Sequence, residues 1–183
     1  ADGGEGYSKP MISTGYTKDL NADKLAAQSA AELAEQLNVS VRTRTRVAGI
    51  DTQKQVVQLE GGETLPYSEL VLALGAELIR PPIAGDAAED VLGVNDLDDY
   101  RRFQELLAAR GAKKVAIIGA GLIGCEFTND LLNGGFTVEA VDPMGWCLPT
   151  LLPERSGRAV QAALEEKGAT FHFGPLATEL NRS

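Results

Sequence analysis

The sequence is short of the residues from which most nucleophilic and metal sites are built. In 183 residues there is one histidine, His172, and there are two cysteines, Cys125 and Cys147. The cysteines lie 22 positions apart, with no Cys-x-x-Cys pair and no metal-ligand spacing. A lone histidine inside a strand-like run, Ala169–Phe173, offers nothing around which a Ser-His-Asp set could be assembled. Two free thiols fit a reducing cytoplasm. Cys125, inside a helical pattern, reads as a small buried residue rather than a reactive one. No long apolar span and no signal-peptide pattern occur, so a soluble protein without a membrane partner is expected. The formal net charge is −9, and no basic stripe is present to neutralise phosphates, which argues against nucleic acid. Arg42, Arg44 and Arg46 fall at every second position and would line one solvated strand face.

What the sequence does have is a 44% apolar content, enough for a core, and one dense motif. Val115–Ile118 is a short apolar run of the kind found in buried parallel strands. Gly119, Gly121 and Gly124 then make G-x-G-x-x-G. The first glycine permits a tight turn, the second lets backbone approach a pyrophosphate, and the third lets helix and strand pack closely. Leu122 and Ile123 open a helix, Leu122–Asn133, whose N-terminal N–H groups and positive dipole end face the phosphates. Gly134-Gly135 stops it, Phe136–Val141 reads as a second strand, and Asp142 follows 23 positions after Gly119. An acid at that spacing takes a ribose 2′-hydroxyl and favours NAD(H), because it would repel a 2′-phosphate.

The rest of the chain supplies context. Residues 22–37 favour helix, and Ser29-Ala30-Ala31-Glu32 is a capping box from which a second helix would start. Val39–Arg44 reads as a strand. Val47–Ile50, Gln55–Leu59 and Glu63–Tyr67 read as a meander turning near Asp51 and at Gly61-Gly62. Leu70–Leu74 reads as a buried strand ending at Gly75. Pro81, Pro82 and Gly85-Asp86 mark a boundary. Asp96 caps a helix to Arg110, and Glu154–Lys167 is a further helix before the strand Ala169–Phe173. The fold class expected is α/β, with Rossmann-like nucleotide-binding domains. Residues 1–82 would be a partial domain with a β-meander, and 83–183 a truncated βαβαβ dinucleotide unit. The first half lacks a strand–glycine–helix opening, so the expectation is a fragment.

With these stretches in view, the chain resembles the flavin-dependent pyridine-nucleotide oxidoreductases, most closely the rubredoxin–NAD reductases. The matching stretches include Tyr7–Gly15, Thr45–Asp51, Leu70–Glu77, Asn95–Tyr100 and Gly119–Phe127. The resemblance implies an NADH domain inserted in an FAD domain, of which the N-terminal FAD glycine motif and the C-terminal part are missing here. It implies that Lys9, followed by Pro10, lies against the flavin ring, where a cation aids hydride transfer. It implies that Glu126 reaches toward the flavin and can pair with Lys9, and that Val47, Ala73 and Gly75 meet FAD. Leu74 stands where relatives carry Thr, and Thr14 leans toward the rubredoxin-reductase branch. The implied activity passes electrons from NADH through FAD to a small iron–sulfur protein, rubredoxin first. The alternatives are a ferredoxin or haem-protein reductase, or, for this piece alone, a non-catalytic dinucleotide-binding module. The absence of a redox-active cysteine pair beside the flavin segments argues against the disulfide-reductase branch.

Overall fold

The computed structural model describes residues 3–182 and divides into two compact units. One holds residues up to Tyr7 together with Ala26–Glu77, and the other holds Ser8–Leu25 with the chain from Leu78 onward. The stretch Ser8–Leu25, which ends in the short helix α1 (Ala22–Leu25), therefore packs with the glycine-motif half of the chain. No helix is long and apolar enough to cross a membrane.

In the first unit, α2 (Ala30–Leu37) begins at the capping box expected from its sequence. The Ser29 hydroxyl accepts from the Glu32 N–H, and the Glu32 carboxylate accepts from the Ser29 N–H at 2.7 Å. Those two bonds satisfy orphan donors of the first turn, and donation by the Ser29 N–H and hydroxyl holds the Glu32 carboxyl below its ordinary range. The meander is formed by β1 (Val47–Asp51), β2 (Val56–Leu59) and β3 (Thr64–Pro66), all antiparallel. Asp51 closes the first turn by accepting from Gln53 and Lys54 N–H.

Two expectations for this unit fail. Val39–Arg44 is not a strand: it runs as irregular chain into a turn at Arg44, whose φ is +49°. The three arginines consequently do not share a strand face. Arg42 instead forks onto Glu63 at 2.9 Å, and Arg46 approaches Glu60 at 3.8 Å. Leu70–Leu74 is neither buried nor a strand. Val71 is 86% exposed and Leu74 84%. A buried parallel strand needs a neighbour on each side, and among the described residues none pairs with this run.

The second unit is built on the parallel strands β4 (Lys114–Ile118), β5 (Thr137–Asp142) and β6 (Thr170–Phe173), in the order β4-β5-β6. The connecting helices are α4 (Leu122–Asn133) and α5 (Glu154–Glu166). This is the βαβαβ order read from the sequence. The apolar run at β4 is only half covered, however, because β4 lies at the sheet edge; Ile118 is exposed. Ahead of it, α3 (Leu97–Ala109) starts at Asp96, whose carboxylate accepts from the Asp99 N–H at 2.8 Å.

Aromatic rings fasten Ser8–Leu25 to α3 and to the residue ahead of β5, and α3 to α4. Tyr16 meets Phe136 edge-on at 5.1 Å and Tyr100 at 6.5 Å, and Phe103 meets Phe127 edge-on at 6.2 Å. Tyr100 is fully buried. Burial pushes its phenol well above the ordinary range, with the Asp130 charge adding to the shift, and Tyr16 moves the same way for the same reasons. A raised phenol pKa means that this part of the stability is complete below the unfolded value, near 10, and is lost as the pH rises beyond it. Alkaline titration followed by tyrosinate absorbance should show Tyr16 and Tyr100 ionising late, together with a fall in unfolding midpoint above about pH 10. Normal ionisation of both would contradict the packing. Ser29→Ala should cost about 1 kcal/mol in urea unfolding, the usual worth of an N-cap hydroxyl.

Candidate dinucleotide site

The glycine loop joins β4 to α4 inside the second unit. Gly119 has φ +110°, a left-handed-region conformation that an L side chain rarely adopts. A Cβ on Gly124 would sit 2.0 Å from the Gly119 carbonyl oxygen, so the third glycine is what lets α4 close onto the turn. Gly121 is different, since a Cβ there would meet nothing within 4 Å. Space above the loop is open at that residue. Gly121 is also the N-cap of α4 and carries no side chain to bond the first-turn N–H groups. Those donors, on Leu122, Ile123 and Gly124, remain for an anion, and the Leu122 and Ile123 side chains are exposed beside them. The loop therefore fits a pyrophosphate on its own geometry.

Asp142 ends β5 and turns back to this loop. One carboxylate oxygen accepts from the Ala120 N–H at 2.6 Å, and the other from the Met144 N–H at 2.7 Å. The residue is 8% exposed. Each oxygen keeps a second lone pair, so the same carboxylate can grip the loop and face a ribose hydroxyl. The Ala120 carbonyl is held in turn by the Leu148 N–H at 2.8 Å and the Cys125 thiol at 3.3 Å. Cys125 and Cys147 pack together in a small buried cluster with Ala120, Leu164 and Ala169. The Cys147 thiol hydrogen bond draws the Cys125 thiol down, and Cys147 itself is pushed far up. Both are core residues, as read for Cys125.

Lys9 and Pro10 lie exposed at the start of a 3-10 segment, Lys9–Thr14, in the same unit. The Lys9 ammonium donates to the Asn95 side-chain oxygen at 2.8 Å, just ahead of the α3 cap. Glu126, on the first turns of α4, accepts from the Ser13 hydroxyl at 2.7 Å. Among the described residues no ion pair joins Lys9 to Glu126, which corrects the pairing expected from the resemblance. Ser13 is buried and nearer to α4, and it takes the carboxylate, while Lys9 reaches outward. Val47, Ala73 and Gly75 belong to the other unit. Val47 opens β1 and is 47% exposed. Ala73 and Gly75 lie in the exposed segment without regular structure. Ser13, Asn95 and Asp130 were given no role by sequence reasoning. The one available signal was the spacing of Glu126, Asp130 and Asn133 along a single helix face.

The two loop glycines separate folding from binding. Gly124→Ala should destabilise the second unit by a few kcal/mol, roughly the cost of overpacking, and abolish NADH binding. Gly121→Ala should leave the unfolding free energy within about 1 kcal/mol of the parent while weakening NADH at least about tenfold, because a methyl enters the open cradle. Isothermal titration alongside urea unfolding reads both. Equal effects from the two substitutions would refute the assignment of their roles.

Residues 2–183 match the family described as pyridine nucleotide-disulphide oxidoreductase. The sequence is 54% identical over 177 residues to a rubredoxin-NAD(+) reductase of Alcanivorax borkumensis, covering 97% of this chain and 46% of that protein. It is 41% identical over 185 residues to the protein of the same name from Acinetobacter baylyi, covering 100% of this chain and 47% of that one. The chain thus spans about half the length of the curated relatives it matches. Among solved structures, a ferredoxin reductase of the CYP199A2 system from Rhodopseudomonas palustris superposes with a TM-score of 0.83. It is 24% identical, and the match covers 97% of this chain and 43% of that one. The fold, the glycine loop with its acid and the sequence agreement converge: the chain belongs to the pyridine nucleotide-disulphide oxidoreductase family.

Proposed function

We propose that the chain supplies the NADH-binding part, and a share of the flavin-binding part, of an oxidoreductase that passes electrons from NADH through FAD to a small iron–sulfur protein, rubredoxin first. The observation that carries the reading is the open glycine cradle gripped by Asp142, set on the same helix as Glu126 and in the same unit as Lys9. The relatives named as rubredoxin reductases support the choice of acceptor. We place the protein in the cytoplasm, which two unlinked thiols fit.

In this reading the first-turn N–H groups of α4 and the Gly119–Gly121 backbone hold the NADH pyrophosphate. Asp142 accepts from the adenosine ribose hydroxyl and discourages a 2′-phosphate. Glu126, two residues past the last glycine, faces the nicotinamide end. Lys9, with Pro10 fixing the start of its segment, presents a cation to the flavin edge, where fixed positive charge favours negative charge developing during reduction. Val47, Ala73 and Gly75 are assigned to FAD by the family resemblance. When bound, FAD supplies the step from two-electron hydride chemistry to single-electron release.

Asp142→Ala should weaken NADH and narrow its preference over NADPH. An unchanged ratio of the two affinities would remove the ribose role. The sequence holds a single G-x-G-x-x-G, so the 183-residue chain should purify colourless and oxidise little NADH by itself. With FAD in excess, NADH should bleach the flavin faster than in the same mixture without protein. Rubredoxin should then accept the electrons faster than ferredoxin does. A chain that binds NADH yet never accelerates flavin bleaching would favour a non-catalytic dinucleotide module instead.

A further inference from the structure

Asp130 is fully buried, and the dinucleotide loop does not use it. One of its carboxylate oxygens accepts from the Tyr16 N–H at 3.0 Å, the other from the Thr17 N–H at 2.7 Å. Among the described residues no cation pairs with it. Burying a carboxylate is unfavourable unless it is bonded, and its charge here is met by backbone amides alone. Both amides belong to the segment that follows Lys9–Thr14. Neither is used inside that segment's own turns, so the carboxylate also satisfies two donors that would otherwise be orphans.

Asp130 does not act singly. Glu126, Asp130 and Asn133 stand at i, i+4 and i+7, one stripe along α4. Glu126 holds the Ser13 hydroxyl, Asp130 holds Tyr16 and Thr17, and the Asn133 amide donates to the Thr17 hydroxyl at 2.9 Å. The segment's approach is close as well. A Cβ on Gly15 would fall 2.0 Å from the Tyr100 hydroxyl, and one on Gly134 would fall 2.9 Å from the Tyr16 Cβ. Tight apolar packing therefore backs a polar clasp whose central bonds are the buried ones.

We propose that Asp130 is a positioning residue. It locks residues 13–17 onto the helix that cradles the dinucleotide, and so sets Lys9 and Glu126 at a fixed distance from the nicotinamide. This rests on the flavin-reductase reading given above. The clasp's chemistry is two parallel amide bonds to one charge. Asparagine, with one acceptor and one donor at the same size, cannot reproduce it, and it would turn an N–H toward an N–H.

The test is Asp130→Asn in the full chain with FAD in excess. Amides of residues 13–18, followed by hydrogen exchange with mass spectrometry, should exchange about tenfold faster. NADH affinity, read by Trp146 fluorescence, should stay within about twofold, because the glycine loop and Asp142 are untouched. Flavin bleaching at saturating NADH should slow about tenfold with an unchanged half-saturating NADH concentration, the signature of lost alignment. Asn133→Ala, which removes the outer bond to Thr17 and a longer exposed contact from Lys167 but leaves the Asp130 bonds, should move the same readouts in the same direction and by less. Faster exchange with unaltered bleaching would overturn the positioning role, as would NADH affinity falling in step with the bleaching rate. Parent protein that binds NADH without accelerated bleaching would take down the flavin reading and the positioning role with it. A defect confined to the variant's exchange would take down only the latter.

Discussion

The bond from the Ala120 N–H to the Asp142 carboxylate is the contact on which the second unit turns. It closes the end of β5 onto the loop between β4 and α4, and so fixes the helix terminus from which the free N–H groups point. Without an acceptor there, Ala120 would bury an unsatisfied donor at the one place where the backbone must stay open above and tight below. The Gly124–Gly119 approach takes up the space beneath, and the Leu148 and Cys125 bonds to the Ala120 carbonyl secure the next peptide of the same loop. A loop held from both faces loses little further entropy on meeting an anion, which is what preorganisation means in this fold.

Helix α4 carries this order outward. Its N-terminal turn serves the dinucleotide loop, and its buried face meets Phe103 through Phe127. Its polar stripe faces the Ser8–Leu25 segment. That one helix joins parts of the chain more than a hundred residues apart, so the geometry of Lys9 relative to the glycines is a property of α4 rather than of either local segment.

Much of this was legible in sequence because the signals were local. The capping box at Ser29, the cap at Asp96, the bounds Leu122–Asn133 and the βαβαβ order each follow from residues within a few positions of one another. Leu70–Leu74 was misread because apolar content reports an appetite for burial, not the presence of a neighbour to satisfy it. Val39–Arg44 was misread because alternation does not reveal the positive φ at Arg44. The Lys9–Glu126 pairing was expected from the family resemblance. The structure prefers a hydroxyl donor, Ser13, which lies close and is buried, and it turns Lys9 toward Asn95. Asp130 escaped notice because its partners are backbone amides 113 and 114 positions away, which no composition or motif reports.

The bare run at Leu70–Leu74 has a physical consequence of its own. Its backbone pairs with no strand among the described residues and is flanked by Val71, Leu72 and Leu74 side chains, with no proline or charge among its five residues to interrupt it. Such a run is a template for strand addition by any similar run that drifts past, including the identical one on a second molecule. Self-association would grow with concentration and be seeded at this one segment, so colloidal behaviour in solution would depend on five residues outside the glycine loop that cradles NADH.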